Sequence, residues 1–249
     1  MVTVITGGAS GIGYATAIRV LAAGGHVAIA DLDGERAGEA AEKLGKNALA
    51  VQCDVTDEAA VKHAADEIES RAGRISALVT CAGAPQVPGG IADMDIQTFD
   101  RVTSSHWKGA FLSCRVFGER MIAAGGGVIV NLASVVGLCP GPTYAYAPAK
   151  AAVINMTSIL AVEWAPKGVR VNAVAPGWTD TPFLTRATPG QQRNTDALAA
   201  ANPRNALVQP DDVAAVVMFL LSAESQAITG TVIPVDHGYL AMRGWQPYK

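Results

Sequence analysis

Charge is the property that this 249-residue chain lacks most, because only 16% of its residues are Asp, Glu, Lys or Arg, against roughly 25% in average soluble domains. The 19 Lys and Arg and the 22 Asp and Glu residues give a net charge of −3 at pH 7 and form no basic block. Nucleic acid is therefore excluded as an expected partner. Hydrophobic residues make up 50% of the chain, which provides a large core and excludes intrinsic disorder.

Cysteine pairs and membrane-length apolar runs are also missing. The four cysteines are Cys53, Cys81, Cys114 and Cys139, with no Cys-x-x-Cys pair and no neighbouring histidine at ligand spacing. They predict reduced thiols and no metal site. The apolar stretch Val213–Leu221 is far shorter than the roughly 18 to 20 residues of a membrane span. A strand and a glycine loop begin almost at Met1, so no signal peptide is expected and we predict a cytoplasmic protein without membrane contact.

Short apolar runs alternate with longer stretches of helical spacing along the whole chain. The predicted strands are Val2–Thr6, His26–Ala30, Ala48–Gln52, Ala77–Thr80, Val128–Asn131, Val169–Ala175 and Thr231–Val235. The predicted helices are Gly13–Ala23, Glu35–Leu44, Glu58–Arg71, Thr98–Ala123, Ala149–Trp164 and Asp211–Leu221. This alternation predicts an α/β fold: one Rossmann-type, doubly wound domain with a parallel seven-stranded sheet flanked by helices.

One segment, Phe183–Gln209, breaks the alternation with its prolines, amides and weak helical pattern. Connections of this length in compact domains are usually functional or disordered. Because it lies between two well-formed elements, we interpret it as a lid over the substrate.

A glycine loop, Thr6–Gly13, follows the first predicted strand and opens the first predicted helix. Glycines there allow backbone to approach a pyrophosphate and direct the positive end of a helix dipole toward it. The Lys-Ser/Thr pair of a P-loop is absent, since Tyr14 and Ala15 occupy those positions. The loop therefore predicts a dinucleotide site, with Gly7, Ser10, Gly11, Ile12 and Gly13 as its binding residues.

Asp31 ends the second strand near the roughly 20-residue offset at which a carboxylate binds the adenosine ribose hydroxyls. A carboxylate at this position repels a 2′-phosphate, and no basic residue occupies Ser10 or Leu32. The predicted cofactor is therefore NAD. Asp54 and Val55, after the third strand, are weaker candidates for the adenine edge.

Tyr146 and Lys150 stand one helical turn apart, so both side chains project from one face of the predicted helix. A tyrosine whose pKa is near 10 needs a downward shift of roughly 3 units to act as a base near neutrality. A nearby ammonium group and a positive nicotinamide ring produce such a shift. Ser134, at the end of a buried strand, can offer its hydroxyl to a substrate oxygen.

In these motifs the chain resembles the short-chain dehydrogenase/reductase family from Met1 to about Leu240. The motifs that carry the resemblance are Thr6–Gly13, Asp54-Val55, Cys81-Ala82-Gly83, Ser134, Tyr146-x-x-x-Lys150 and Pro176-Gly177-Trp178-Thr179-Asp180-Thr181. The resemblance implies that Tyr146 is the general acid/base, that Lys150 lowers its pKa and binds the nicotinamide ribose, and that Ser134 positions the carbonyl or hydroxyl. It also implies that Thr181, with the Pro176-Gly177 turn, holds the nicotinamide carboxamide, and that Thr179 belongs to the cofactor site.

Three departures from the family pattern stand out. Thr80-Cys81-Ala82-Gly83 replaces Asn-Asn-Ala-Gly, which predicts a change in how the central sheet is tied. His106 replaces the usual catalytic asparagine, and we consider two roles for it. Either it holds the relay water through a ring nitrogen and adds an ionisation near 6.5, or it only fills space. His237 replaces a glycine near the last strand, and we expect no catalytic role for it.

The residues expected around the reacting carbon are mostly apolar and include no Lys or Arg: Ala84, Pro85, Val136, Leu138, Trp178 and Phe183. They predict a neutral, fairly hydrophobic secondary alcohol or its ketone as substrate. Two alternatives remain open. One is reduction of acyl chains on a carrier protein, although Met121–Gly127 offers no basic docking residue. The other is a sensor or scaffold that binds NAD without turnover.

The small side chains of the predicted helices Thr98–Ala123 and Ala149–Trp164 suit close helix packing between subunits. In the resembling family these helices form the subunit interface. The resemblance therefore implies a homotetramer.

Overall fold

The computed structural model describes residues 2–186 and 195–245. The strands are β1 (Val2–Thr6), β2 (His26–Asp31), β3 (Ala48–Gln52), β4 (Ile75–Thr80), β5 (Gly127–Leu132), β6 (Val169–Pro176) and β7 (Val232–Val235). They form one parallel sheet in the order β3-β2-β1-β4-β5-β6-β7. The predicted single-domain, doubly wound α/β fold is confirmed, and the strand ends differ from the predicted ones by at most two residues.

Helices cover both faces of the sheet. They are α1 (Gly11–Ala22), α2 (Gly34–Leu44), α3 (Glu58–Ala72), α4 (Ile96–Thr103), α5 (Gly109–Ala123), α6 (Tyr146–Trp164), α7 (Pro182–Arg186), α8 (Thr195–Ala200) and α9 (Pro210–Leu221). The apolar faces of α1, α2 and α9 share one core cluster, and those of α3, α5 and α6 share a second. Near-continuous apolar strands are what a sheet buried on both faces requires.

The prediction of a single helix over Thr98–Ala123 is wrong, because a π-helical turn at Ser104–Lys108 separates α4 from α5. A π-helical turn contains one residue more than an α-helical turn, and the spacing of apolar residues does not reveal this insertion. Helix α6 begins at Tyr146, three residues before the predicted start. Both Tyr146 and Lys150 therefore belong to regular helix, and Pro148 falls in its first turn, where proline is tolerated.

Asn131 ties the centre of the sheet to two helices, and it is fully buried. Its Oδ1 accepts hydrogen bonds from Thr80 Oγ1 at 2.9 Å and Cys114 Sγ at 3.3 Å. Its Nδ2 donates to Thr157 Oγ1 at 3.0 Å. The threonine that departs from the family pattern thus links β4 to β5, and the network extends to α5 and α6.

The predicted lid lies only partly within the described residues, since 187–194 fall outside them. On either side lie α7 and α8, and a short parallel bridge joins Thr179 to Val208. His237 adopts a left-handed backbone with φ of 51°, and its Nδ1 donates to Ala206 O at 3.1 Å. It is not among the residues that line the cavity described below. Within residues 2–186 and 195–245, no helix is long and apolar enough to cross a membrane.

Candidate active site

A cavity of about 630 Å³ opens at the carboxyl ends of the strands. It spans the point where the strand order reverses between β1 and β4, where ligands bind in doubly wound sheets. The predicted cofactor and catalytic residues all line it: Gly7, Ser10, Gly11, Ile12, Gly13, Asp31, Asp54, Val55, Cys81, Ala82, Gly83, His106, Ser134, Tyr146, Lys150, Pro176, Gly177, Thr179 and Thr181. The fold thus brings segments that are distant in sequence into one site.

The glycine loop has a shape that only glycine permits. A Cβ atom on Gly7 would lie 2.7 Å from the Cα of Ala82, and one on Gly13 would lie 2.6 Å from the carbonyl oxygen of Gly7. Gly7 and Gly11 have positive φ of 66° and 56°. Helix α1 begins at Gly11, so its N-terminus points toward the cavity. This cradle fits the pyrophosphate of a dinucleotide.

Asp31 lies at the far end of the cavity and is buried. Its carboxylate accepts hydrogen bonds from the backbone N–H groups of Ala9 and Asp33, both at 3.3 Å. It also forms an ion pair with Arg36, with 3.0 Å between Nη2 and Oδ1. Arg36 lines the cavity, so a cation does stand near the expected ribose, although none was predicted there. Packing of α2 against β2 brings it to this position.

Tyr146, Lys150 and Ser134 meet in the cavity as predicted. Lys150 is buried, and its Nζ donates to the carbonyl oxygen of Leu132 at 2.5 Å. The Nζ atom lies 5.7 Å from the centroid of the Tyr146 ring. Ser134 Oγ accepts from Val136 N at 3.4 Å, which holds the serine at the end of β5. A cation and a hydroxyl thus flank the tyrosine.

Burial dominates the ionisation of this group of residues. It raises the pKa of Tyr146, and a hydrogen bond with Ser134 partly offsets that rise. It also lowers the pKa of Lys150 from 10.5 to about 8. The predicted downward shift of the tyrosine pKa depends on the lysine together with the nicotinamide ring, and it stays a prediction. In the protein by itself the pKa is raised, because desolvation outweighs the hydrogen bond with Ser134.

His106 sits on the π-helical turn, beside Tyr146. The two ring centroids are 4.8 Å apart in an edge-to-face arrangement. His106 Nε2 lies 2.8 Å from the carbonyl oxygen of Ala84. Since a carbonyl only accepts, Nε2 carries the proton and Nδ1 is an acceptor, which is buried and has no protein partner.

The predicted ionisation of His106 near 6.5 is wrong. Burial, followed by the charge of Lys150, lowers the pKa of His106 well below 6.5, so the ring is neutral at physiological pH. Gly83 makes room for the ring, because a Cβ there would lie 1.9 Å from His106 Cε1. Whether His106 takes part in catalysis through a water stays a prediction.

The substrate end of the cavity is more polar than predicted. Ala84, Val136, Trp178 and Phe183 line it, but Leu138 does not, because it follows a tight turn at Val135–Gly137 and is 43% exposed. Further polar residues line the cavity, among them Gln86, Arg101 and Thr143. The expectation of a site without a cation is wrong in this respect, since exposed Arg101 reaches the cavity and donates to Pro85 O at 3.4 Å.

The cysteines are all free thiols, as predicted. Cys81 lines the cavity next to Lys150, and burial raises its pKa to about 12 despite that lysine. It is therefore an inert thiol at neutral pH. In the part of the chain that the structure describes, no cluster of His, Cys, Asp or Glu could hold a metal ion.

Comparison with known proteins agrees with the geometry of this site. A family model described as "Enoyl-(Acyl carrier protein) reductase" matches residues 7–240. The D-threitol dehydrogenase of Mycolicibacterium smegmatis is 36% identical over 242 residues, covering 96% of this chain and 92% of the relative. The cis-4-hydroxycyclohexanecarboxylate dehydrogenase of Sinomonas cyclohexanicum is 38% identical over 245 residues, covering 97% of both.

Solved structures are similar over nearly the whole chain. One titled as a ribose-5-phosphate isomerase from Brucella melitensis superposes with a TM-score of 0.95 at 40% identity, covering 99% of this chain and 95% of that one. A 3-ketoacyl-(acyl-carrier-protein) reductase from the same species, complexed with NADH, gives 0.89 at 32% identity over 96% and 97%. Although one title names an isomerase, the family model and both curated relatives are reductases or dehydrogenases. The chain belongs to the short-chain dehydrogenase/reductase family and is an oxidoreductase with a nicotinamide cofactor site.

Proposed function

We propose that this protein is an NAD-dependent dehydrogenase that interconverts a neutral secondary alcohol and its ketone. The observation that carries the proposal is the meeting of Ser134, Tyr146 and Lys150 at one end of a cavity whose other end is the glycine cradle. A nicotinamide dinucleotide held by the glycine cradle would supply hydride transfer to or from the carbinol carbon. All other steps fall to the side chains around it.

Tyr146 is the proposed general acid/base. Its ionised phenolate oxygen takes the proton of the alcohol during oxidation, and its hydroxyl donates a proton to the ketone oxygen during reduction. Because burial raises its pKa, ionisation needs positive charge close by, which Lys150 supplies while it is protonated. Ser134 donates to the substrate oxygen and holds it near the tyrosine. We also propose that Lys150 binds the nicotinamide ribose and that Thr179 and Thr181, in the 176–181 segment, hold the carboxamide.

The apolar wall of Val136, Trp178 and Phe183 suits a substrate with a hydrophobic part. The test is a panel of secondary alcohols with NAD, followed by the absorbance of NADH. Turnover of at least one member is expected. Cofactor binding by calorimetry without turnover of any alcohol, or of their ketones with NADH, would favour a sensor or scaffold instead.

The preference for NAD is proposed to depend on Asp31. Replacing Asp31 with serine removes the partner of the ribose hydroxyls and frees Arg36, which lies 3.0 Å away, to meet a 2′-phosphate. Loss of a charged hydrogen bond costs about 1.5–3 kcal/mol, so we expect kcat/KM with NAD to fall by about 10–100-fold and the relative use of NADP to rise. Steady-state kinetics with both cofactors measures this change.

Asp33→Ser is the matched control for that variant. It removes an exposed carboxylate two positions away, and serine can still cap α2 as Asp33 does. The control should keep the cofactor preference of the wild type. If Asp31→Ser also keeps it, the proposed role of Asp31 is wrong.

We propose that the protein is a homotetramer built on α4, α5 and α6. Large apolar side chains on two of these helices face outward: Phe111, Ile159 and Val162 are 44%, 56% and 80% exposed. Val162→Glu is expected to dissociate the assembly, because a buried unpaired charge is costly at an interface. Light scattering at micromolar concentration measures the mass. Ile18→Glu, at a position of α1 that is 46% exposed, is the control, and a monomeric wild type would contradict the proposal.

A cytoplasmic location is also part of the proposal. It is supported by the four free cysteines: Cys53 and Cys81 line the cavity, and Cys114 and Cys139 are buried, all without a partner cysteine. Reduced thiols of this kind are typical of reducing compartments.

A further inference from the structure

Gln86 is a buried polar residue with a fixed orientation and an unused donor. Only 5% of its surface is exposed. Its Oε1 accepts from the backbone N–H groups of Ala145 at 3.1 Å and Tyr146 at 2.8 Å. Since both donors are amides, the oxygen must face them, and Nε2 must point the other way. Nε2 has no hydrogen-bond partner in the protein.

His106 provides the matching acceptor. Its Nε2 proton is committed to Ala84 O, so Nδ1 carries a lone pair that also has no partner. Only 4% of the residue is exposed. Gln86 and His106 both line the cavity, one bonded to the backbone of Tyr146 and the other packed against its ring.

Unpaired buried polar atoms are rare in proteins because each one loses its hydration without compensation. Two of them beside one catalytic side chain indicate a ligand group that pairs with both. We propose that Gln86 Nε2 and His106 Nδ1 form a polar subsite for a second hydroxyl group of the substrate, on the carbon next to the reacting carbon. The substrate class is then a vicinal diol and its hydroxyketone. This inference rests on the proposed alcohol dehydrogenase function.

The pair of groups favours a hydroxyl over a carboxylate. A hydroxyl accepts from Gln86 Nε2 and donates to His106 Nδ1, whereas a carboxylate only accepts and would face the lone pair of the histidine. Arg101, the cation on the lining, is exposed and donates to Pro85 O. It lies outside this buried pair and offers the carboxylate no partner within it.

The test compares three probes of similar size with the full-length enzyme: 2,3-butanediol in its separate stereoisomers, 2-butanol, and 3-hydroxybutyrate. Sites built around a substrate hydroxyl discriminate strongly against analogues that lack it. For the preferred diol isomer we expect a kcat/KM at least roughly 10-fold above that for 2-butanol, because 2-butanol lacks the hydroxyl that makes the hydrogen bond. Equal values for diol and 2-butanol, or preference for 3-hydroxybutyrate, would overturn the subsite.

Gln86→Glu separates recognition from positioning. A carboxylate still accepts from the N–H groups of Ala145 and Tyr146, and those bonds favour its ionised form, but the Nε2 donor is gone. The ratio of kcat/KM for diol to that for 2-butanol should therefore fall toward one. Exposed Gln226→Glu, with the same chemical change, should keep the wild-type ratio. An unchanged ratio in Gln86→Glu would also overturn the subsite.

The two proposals fail in different ways. Absence of turnover for every alcohol and ketone probe means that the dehydrogenase function is wrong. Turnover of 2-butanol and the diol at equal rates leaves that function standing and removes only the polar subsite.

Discussion

Replacing Tyr146 with phenylalanine is expected to lower kcat for alcohol oxidation by about 10²–10⁴-fold, the usual contribution of a positioned general base. The substitution removes one oxygen atom and leaves the ring, which packs against His106 at 4.8 Å and Phe183 at 6.0 Å between centroids. The fold and the affinity for NAD should therefore persist. Steady-state NADH formation measures the rate, and calorimetric titration with NAD measures the affinity.

Tyr144→Phe is the matched control, because Tyr144 stands two positions away and is 41% exposed. It loses the same oxygen and should keep the wild-type rate. If Tyr146→Phe also retains full activity, Tyr146 is not the acid/base and the proposed chemistry is wrong. If Tyr146→Phe loses NAD binding along with turnover, the residue acts in binding, not in proton transfer.

The features of the fold that depend on local patterns could be predicted from the sequence. Strand β1 has the predicted bounds, because a buried parallel strand needs only a short apolar run between turn residues. The break between α4 and α5 could not be predicted, since the π-helical turn that carries His106 changes the backbone without changing the apolar spacing. Apolar spacing identifies the face of a helix that packs, and it is insensitive to one inserted residue.

In the candidate site too, the residues that belong to local motifs could be predicted, and those placed by contacts between elements could not. The glycine loop and the Tyr146 and Lys150 pair are short motifs, and the fold places both in the cavity. Gln86 and Arg36 were missed because their roles arise from contacts between elements, namely the start of α6 and the end of β2. No local sequence pattern identifies either residue as part of the site. The position of Gln86, soon after Gly83 of the cofactor motif, is the one feature that could have suggested it.

Ionisation was the least predictable property of the site. Sequence shows that Lys150 lies near Tyr146, but the sign of each pKa shift depends on how much water the fold removes. Desolvation by the surrounding packing raises the pKa of Tyr146 and lowers that of Lys150 to about 8. Burial thus makes the lysine charge costly at the place where the proposed chemistry needs it.

Replacing Lys150 with methionine is therefore expected to lower the activity and to raise the stability of the folded protein at pH 7. Activity should fall by at least about 100-fold, because the positive charge that supports ionisation of Tyr146 is lost. At pH 7 the variant no longer buries an ammonium group, whose pKa falls from 10.5 to about 8 on folding. Removing that cost should raise the free energy of unfolding by about 3 kcal/mol, at about 1.36 kcal/mol per pKa unit. The variant also leaves the carbonyl oxygen of Leu132 without its hydrogen bond, which offsets about 1–3 kcal/mol of that stabilisation.

The dependence on pH identifies the lysine as the source. The folded pKa of about 8 lies below the unfolded value of 10.5, so between these values the folded chain holds fewer protons than the unfolded one. The contribution of Lys150 to the unfolding free energy of the wild type therefore rises with pH across this window.

The stability of Lys150→Met relative to the wild type should fall by about 3 kcal/mol from pH 7 to pH 10.5, measured by urea unfolding. The tyrosines and cysteines that lie away from Lys150 titrate in the same way in both proteins and cancel in the difference. Lys167→Met, at a side chain 46% exposed, reports the loss of a lysine without burial. A difference between Lys150→Met and wild type that stays constant with pH would show that burial of the ammonium carries no free-energy cost.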